Sequence, residues 1–225
     1  SGPAAAAPKP ALRIEPLDAA HPARAAIIAE LHARLLPTSP AVLLGPRFLR
    51  DFYYALLPGA GLIDAAIAYV DDAPAGFVAV SSNPNGFMGA GLRRWWHRLA
   101  WMLTISILAN PAKRIPALWE AFQIMTSRTS DDQPPNTGEI LSLGVLAEFT
   151  DPKFVAASGL RIARELIEYG QQRVAARGSE RIFAIVDADN LAARFMYFGL
   201  GWTLTRSTVP GWRTPSVEFA TDLKK

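Results

Sequence analysis

Apolar residues in this chain recur at two spacings, and the switches between them mark the elements. Leu12-Arg-Ile-Glu-Pro-Leu17 alternates at period two and predicts an opening strand. From His21 to Leu36 the apolar positions Ile27, Ile28, Leu31 and Leu35 recur at helical spacing, and Pro37-Thr-Ser-Pro40 ends that helix. Gly45-Pro46 predicts the start of a second helix, with Pro46 in its first turn. Phe48, Leu49, Phe52, Tyr53 and Leu56 form its expected buried stripe. Leu62 to Val70 and Ala75 to Ser81 predict strands joined by the turn-rich Asp71-Asp-Ala-Pro-Ala-Gly76.

The C-terminal half is more strongly patterned. Glu139-Ile-Leu-Ser-Leu-Gly-Val-Leu146 is apolar at nearly every position, as expected of a strand buried on both faces. Alternation would put Glu139, Leu141, Leu143 and Val145 on one of those faces. Gly159 to Tyr169 carries Leu160, Ala163, Leu166 and Ile167 at helical spacing, and Arg181 to Asp187 predicts a second apolar strand. Asn190 to Tyr197 predicts a short helix ending at Phe198-Gly-Leu-Gly201. Trp202 to Arg206 and Val217 to Asp222 would complete the sheet as antiparallel strands, with Pro210, Trp212 and Pro215 marking the turn between them. A strand-helix-strand unit leaves a helix N-terminus beside a strand end, where an anion can sit.

Between Ser82 and Gly138 the pattern changes. Asn83-Pro-Asn-Gly86 is a turn, and Leu92 to Leu108 is basic and aromatic first, then apolar. Ile115 to Arg128 predicts another helix, and Asp131 to Asn136 a linker, so residues 86–132 read as a helical insertion in one domain of residues 11–225. Residues 1–10 read as a cloning remnant and flexible lead. Leu99 to Ala109 is about half the ~20 residues that span a bilayer. It is expected as a buried helix. The alternative is an interfacial helix with Arg93, Arg94, Trp95, Trp96 and Arg98 at lipid headgroups, giving a peripheral membrane contact through residues 92–109.

Composition narrows the chemistry. A chain of 225 residues, half of them hydrophobic, can bury a full core. The absence of cysteine excludes disulfides, a cysteine nucleophile and a thiolate metal site. A net charge of +3 and a pI near 9.4 suit an anionic ligand, yet no Lys/Arg run points to nucleic acid. His21, His32 and His97 are scattered, read as surface or helix residues, and do not make a metal site.

Asn190, Ala193, Tyr197, Leu200, Gly201 and Trp202 follow the pattern N-x-x-A-x-x-[FLM]-Y-x-x-x-G-[FW], which closes the acyl-CoA site of the GNAT superfamily of N-acyltransferases. The segment before it resembles the coenzyme A motif of that superfamily, V-x-P-x-x-[QR]-x-x-G-x-[GA]. Val145 fits the strand end and Ser158 to Ala163 the phosphate turn, with Ser158 where Gln or Arg is usual and Arg161 where Gly is usual. The resemblance covers Glu139 to Trp202 well and residues 12–82 in outline. It implies an α/β fold with a mixed, centrally splayed sheet flanked by helices. It also implies acetyl-CoA as acyl-donor cosubstrate, no metal, a primary amine of a small molecule as acceptor, and a cytoplasmic location. Leu44-Gly-Pro-Arg-Phe-Leu49 and the aromatic-basic insertion are similar to GNAT proteins of envelope saccharide or lipid biosynthesis, which implies an amino sugar or lipid-linked acceptor.

The resemblance also implies roles. Backbone N–H groups of Leu160, Arg161, Ile162 and Ala163 would cradle the pyrophosphate, with Ser158 and Gly159 permitting close approach, because a helix start offers unpaired donors and a favourable dipole. Leu143 and Val145 would lie along the pantetheine arm, Val145 offering a backbone N–H to the thioester oxygen. Asn190 and Ala193 would hold the arm from the other side. Tyr197, a phenol of pKa ~10, would donate its proton to a thiolate whose acid lies near ~8.5. Glu139 stands where a carboxylate often accepts the amine proton through water, and Glu148 is the second choice. Two other functions fit the same residues: a non-catalytic acyl-CoA sensor or binding module, and a peripheral membrane interaction protein working through the Trp-rich insertion.

Overall fold

A computed structural model of the chain describes residues 9–18, 20–109, 133–210 and 214–223, with 111, 115, 116, 118, 119 and 212 besides. Most of the expected lead at residues 1–10, most of the helix Ile115 to Arg128 and the start of the linker at Asp131 lie outside these residues. Seven strands form one mixed sheet in the order β1-β2-β3-β4-β5-β7-β6. They are β1 (Leu12–Pro16), β2 (Asp64–Val70), β3 (Ala73–Ser81), β4 (Thr137–Val145), β5 (Arg181–Asp187), β6 (Thr203–Arg206) and β7 (Ser216–Asp222). Only β4 and β5 run parallel, and the helix between them makes the crossover that such a pair requires.

Helices cover both faces. On one lie α1 (Ala23–Leu35), α2 (Pro40–Leu43), α3 (Phe48–Leu56) and α4 (Phe87–Ala109), packed around Ile28, Phe52, Tyr54 and Phe77. On the other lies α6 (Ile162–Ala176), whose Ile162, Leu166, Ile167 and Val174 meet Val78, Val80, Ile140 and Ile182. The short α5 (Pro152–Ser158) precedes it, and α7 (Leu191–Gly199) follows β5. β2 is buried along its whole length, which explains why its sequence shows no polar face.

Two elements depart from the expected periods. α3 is wound as a π-helix, so its buried set is Phe48, Leu49, Phe52, Tyr53 and Tyr54. Leu56, expected inside, is half-buried, and Tyr54 takes an inward place that a 3.6-residue period does not give it. α4 starts at Phe87, five residues before the expected Leu92, because Asn83 closes the turn ahead of it. Its side chain accepts from the Gly86 N–H and its carbonyl from that of Phe87. Trp95 leaves helical geometry, with φ −126° and ψ 28°, and kinks this helix.

Candidate active site

The ladder between β4 and β5 is short. Thr137 to Ile140 pair with Arg181 to Ala184, and there it stops. Beyond that point β4 stays bonded to β3 alone and β5 to β7 alone, so the sheet opens into a cleft. A bulge starts the divergence: Val80 faces Ile140 and the next residue, Ala79, faces Ser142, which leaves Leu141 as the extra residue. Leu141 shifts the alternation expected along this strand. Ile140, Leu143 and Val145 turn toward the α6 face, whereas Ser142 and Gly144 turn toward α1. Glu139, opposite Ser81, shares the α1 face, so it does not share one with Leu143 and Val145.

The cleft holds a cavity of about 430 Å3. Ile140 to Leu143 and Ala184 to Asp187 wall it along the two strands, and Asn190, Ala193 and Tyr197 close it from α7. At the other end it is lined by His32, Thr38, Ser39 and Tyr53, with Phe87 and Met88 from the start of α4.

Tyr197 is buried, its ring stacked on Phe219 at 5.6 Å between centroids and against Trp202 at 4.8 Å. Burial alone raises its pKa above the usual 10, so the phenol keeps its proton at any physiological pH. Asn190 caps α7 by accepting from the Ala193 N–H at 3.1 Å, which fixes the helix start against the cavity. Gly201, at φ 80°, makes the left-handed turn that returns the chain to Trp202.

The start of α6 is set up by α5. Gly159, at φ 75°, ends α5 in a left-handed cap. Ser158 ties the turn by donating to the Phe154 carbonyl at 2.7 Å and accepting from the Leu160 N–H at 3.1 Å. Leu160 therefore spends its N–H inside the turn. Exposed Arg161 stands at the cap position with no side-chain cap bond to the first N–H groups of α6.

No family model and no curated protein matches this sequence. Solved structures do. An acetyltransferase of the GNAT family from Streptococcus pneumoniae is 12% identical with a TM-score of 0.53, covering 95% of this chain and 100% of that one. NAA60 of Arabidopsis thaliana, in complex with acetyl-CoA, is 13% identical with a TM-score of 0.53 over 95% of this chain and 99% of that one. The yncA protein of Salmonella typhimurium, with its cofactor acetyl-CoA, is 15% identical with a TM-score of 0.55 over 96% and 95%. The chain has the GNAT acetyltransferase fold.

Within this GNAT fold Tyr197, Asn190, Ala193 and Leu143 come together on one cavity. Ser158 to Ala163 lie outside its wall, around the start of α6, and Val145 lies at the outer end of the opened β4 edge. Glu139 is buried in the ladder between Ser81 and Phe183, one residue outside the wall that begins at Ile140. Glu148 is exposed on the turn after β4.

His32, read from the sequence as a surface or helix residue, does lie on helix α1 but not at the surface: it is 2% exposed and lines the cavity. Its ring stacks on Phe77 at 5.2 Å, its Nδ1 lies 2.6 Å from the Tyr54 hydroxyl and its Nε2 2.8 Å from Ser39 Oγ. Burial lowers its pKa to about 4, so the imidazole is neutral at pH 7. The signal was present: His32 follows Ile28 by four residues and adjoins Leu31, within the apolar stripe of α1.

Proposed function

We propose that the protein is an acyl-CoA-dependent N-acyltransferase, most simply an acetyltransferase, that acylates a primary amine by direct attack within a ternary complex. The observation that carries this reading is the opened β4 edge facing Tyr197 and Asn190 across a cavity. The residues fit a coenzyme A thioester. Strand β4 has no β5 partner from Leu141 to Val145, so an extended pantetheine arm can pair there, and the N–H groups of Arg161, Ile162 and Ala163 at the helix start suit the pyrophosphate. Val145 and Leu143 lie along the arm, and a β4 backbone N–H answers the charge that develops on the thioester oxygen. Tyr197 gives its proton to the departing sulfur. The amine enters from the end lined by Thr38, Ser39 and Phe87, which puts the start of α4 at the acceptor side.

Calorimetric titration with acetyl-CoA, followed by thiol release on a panel of benzylamine, glucosamine and spermidine, tests the reading. Saturable binding and thiol release with at least one amine are expected. Binding without turnover would make the chain an acyl-CoA sensor, and absence of binding would remove the coenzyme site altogether.

A peripheral membrane location forms a second reading, favoured by the surface of α4. Trp96 and Trp101 are 68% and 67% exposed beside exposed Arg93, Arg94 and Arg98, and no acidic residue lies between Phe87 and Ala109. Such a surface matches anionic headgroups. Trp95, grouped with Trp96 in the interfacial expectation, is half-buried and packs edge-on against Phe52 at 6.1 Å, so it belongs to the core. No helix among the described residues is long and apolar enough to cross a membrane. Co-sedimentation with vesicles containing phosphatidylglycerol is expected to fall in a Trp96→Ala/Trp101→Ala variant, and equal sedimentation would exclude this surface.

A further inference from the structure

A continuous chain of hydrogen-bonding side chains runs behind the acceptor end of the cavity. Ser39 Oγ lies 2.8 Å from His32 Nε2, His32 Nδ1 lies 2.6 Å from Tyr54 Oη, and Tyr54 Oη lies 3.4 Å from Ser142 Oγ. Its two ends, Ser39 and Ser142, both line the cavity, as does His32, while Tyr54 is buried behind them. The π-winding of α3 puts the Tyr54 hydroxyl in line, and the bulge at Leu141 turns Ser142 toward it. Both irregularities converge on this chain.

We propose that Ser39, His32, Tyr54 and Ser142 are a proton relay that removes the proton of the attacking amine at Ser39 and returns one to the cavity at Ser142. Each link is a hydroxyl or a neutral imidazole, so each both donates and accepts, and the chain can run in either sense. The step balances. The uncharged amine forms its bond to the acyl carbon, and the carbon–sulfur bond breaks with its electron pair on sulfur. The amine N–H proton goes to Ser39 Oγ, whose own proton goes to His32 Nε2. His32 Nδ1 passes a proton to Tyr54, Tyr54 passes its proton to Ser142, and Ser142 releases one to cavity water, which restores the phenol of Tyr197 after it has protonated the sulfur. No charge is left in the relay, as burial among the rings of Tyr53, Tyr54 and Phe77 demands. Glu139, behind the wall, is not needed for this transfer.

The inference rests on the acetyltransferase reading, and the experiment separates the two. Thiol release is measured with acetyl-CoA and the fastest amine of the panel, for the wild type, Tyr54→Phe, Ser39→Ala and the double variant. Each single change is expected to lower kcat by about tenfold or more while leaving the acetyl-CoA KM unchanged, as loss of proton transfer does. The double variant is expected to fall no further, because one break interrupts the whole chain. The wild type should show a curved proton inventory in mixed light and heavy water, and the variants a linear one. If Tyr54→Phe does not fold, Ser39→Ala, at the half-buried end, decides the matter. Additive losses, or a wild-type inventory retained in the variants, would overturn the relay alone. A wild type that turns over no amine would overturn the acetyltransferase reading, and the relay with it.

Discussion

Tyr197→Phe is expected to keep acetyl-CoA affinity within about twofold and to lower turnover by about 100-fold or more, the usual range for loss of a positioned general acid. The two effects separate because the groups involved are apart. The phosphate contacts proposed above lie at the start of α6, whereas Tyr197 lines the cavity from α7. Phenylalanine keeps the ring between Phe219 and Trp202, so the packing of α7 on β7 survives. What is lost is one O–H in an apolar wall, where water is a poor substitute. A phenol with its pKa raised above 10 also predicts that the wild-type rate has no alkaline limb from this group below about pH 10. Calorimetry and steady-state thiol release on the same preparation check both halves. Turnover equal to wild type would remove Tyr197 from the mechanism.

The α7 half of this site was legible in the sequence because its residues are local. Asn190, Ala193 and Tyr197 fall on successive turns of one short helix, and a single stretch carries the cap, the wall and the proposed acid together. The strands themselves followed from apolar runs and turns, whereas the placement of β7 between β5 and β6 is seen only in the structure. The acceptor half was not legible, for three physical reasons. Tyr54 faces inward only because α3 is π-wound, and no 3.6-residue template places it there. Ser142 faces His32's side only because Leu141 is bulged, which reverses the alternation assumed from Glu139 to Val145. Gly144 is explained by packing: a Cβ there would lie 2.9 Å from Leu35 Cδ1 and 3.0 Å from Phe77 Cε1, so β4 and α1 approach too closely for a side chain. The bulge and the close approach at Gly144 involve segments about 60 to 110 residues apart, and local pattern carries no record of them.

The burial of His32 has a consequence for stability that is independent of catalysis. Its native pKa is about 4, against 6.5 when unfolded. Between those values the unfolded chain binds a proton that the folded one refuses, so stability rises with pH through this window and is flat above it. Acidification from pH 6.5 to pH 4 is therefore expected to remove about 3 kcal/mol, at about 1.4 kcal/mol per unit. Carboxylates contribute to acid unfolding as well, so the His32 share is isolated by comparison with His32→Gln, whose amide can bond Tyr54 or Ser39 but does not titrate. At pH 7.5 the wild type is expected to be the more stable, since glutamine fills the ring's place beside Phe77 poorly. As pH falls the gap should close by about 3 kcal/mol, because contributions common to both proteins cancel. Urea unfolding of the pair at half-unit steps from pH 7.5 to pH 4 measures this directly. A gap that stays constant would mean that the imidazole gains its proton as easily in the folded protein as in the unfolded one. The neutral, two-way hydrogen bonding that joins Ser39 to Tyr54 would then begin to fail near pH 6.5 instead of near pH 4.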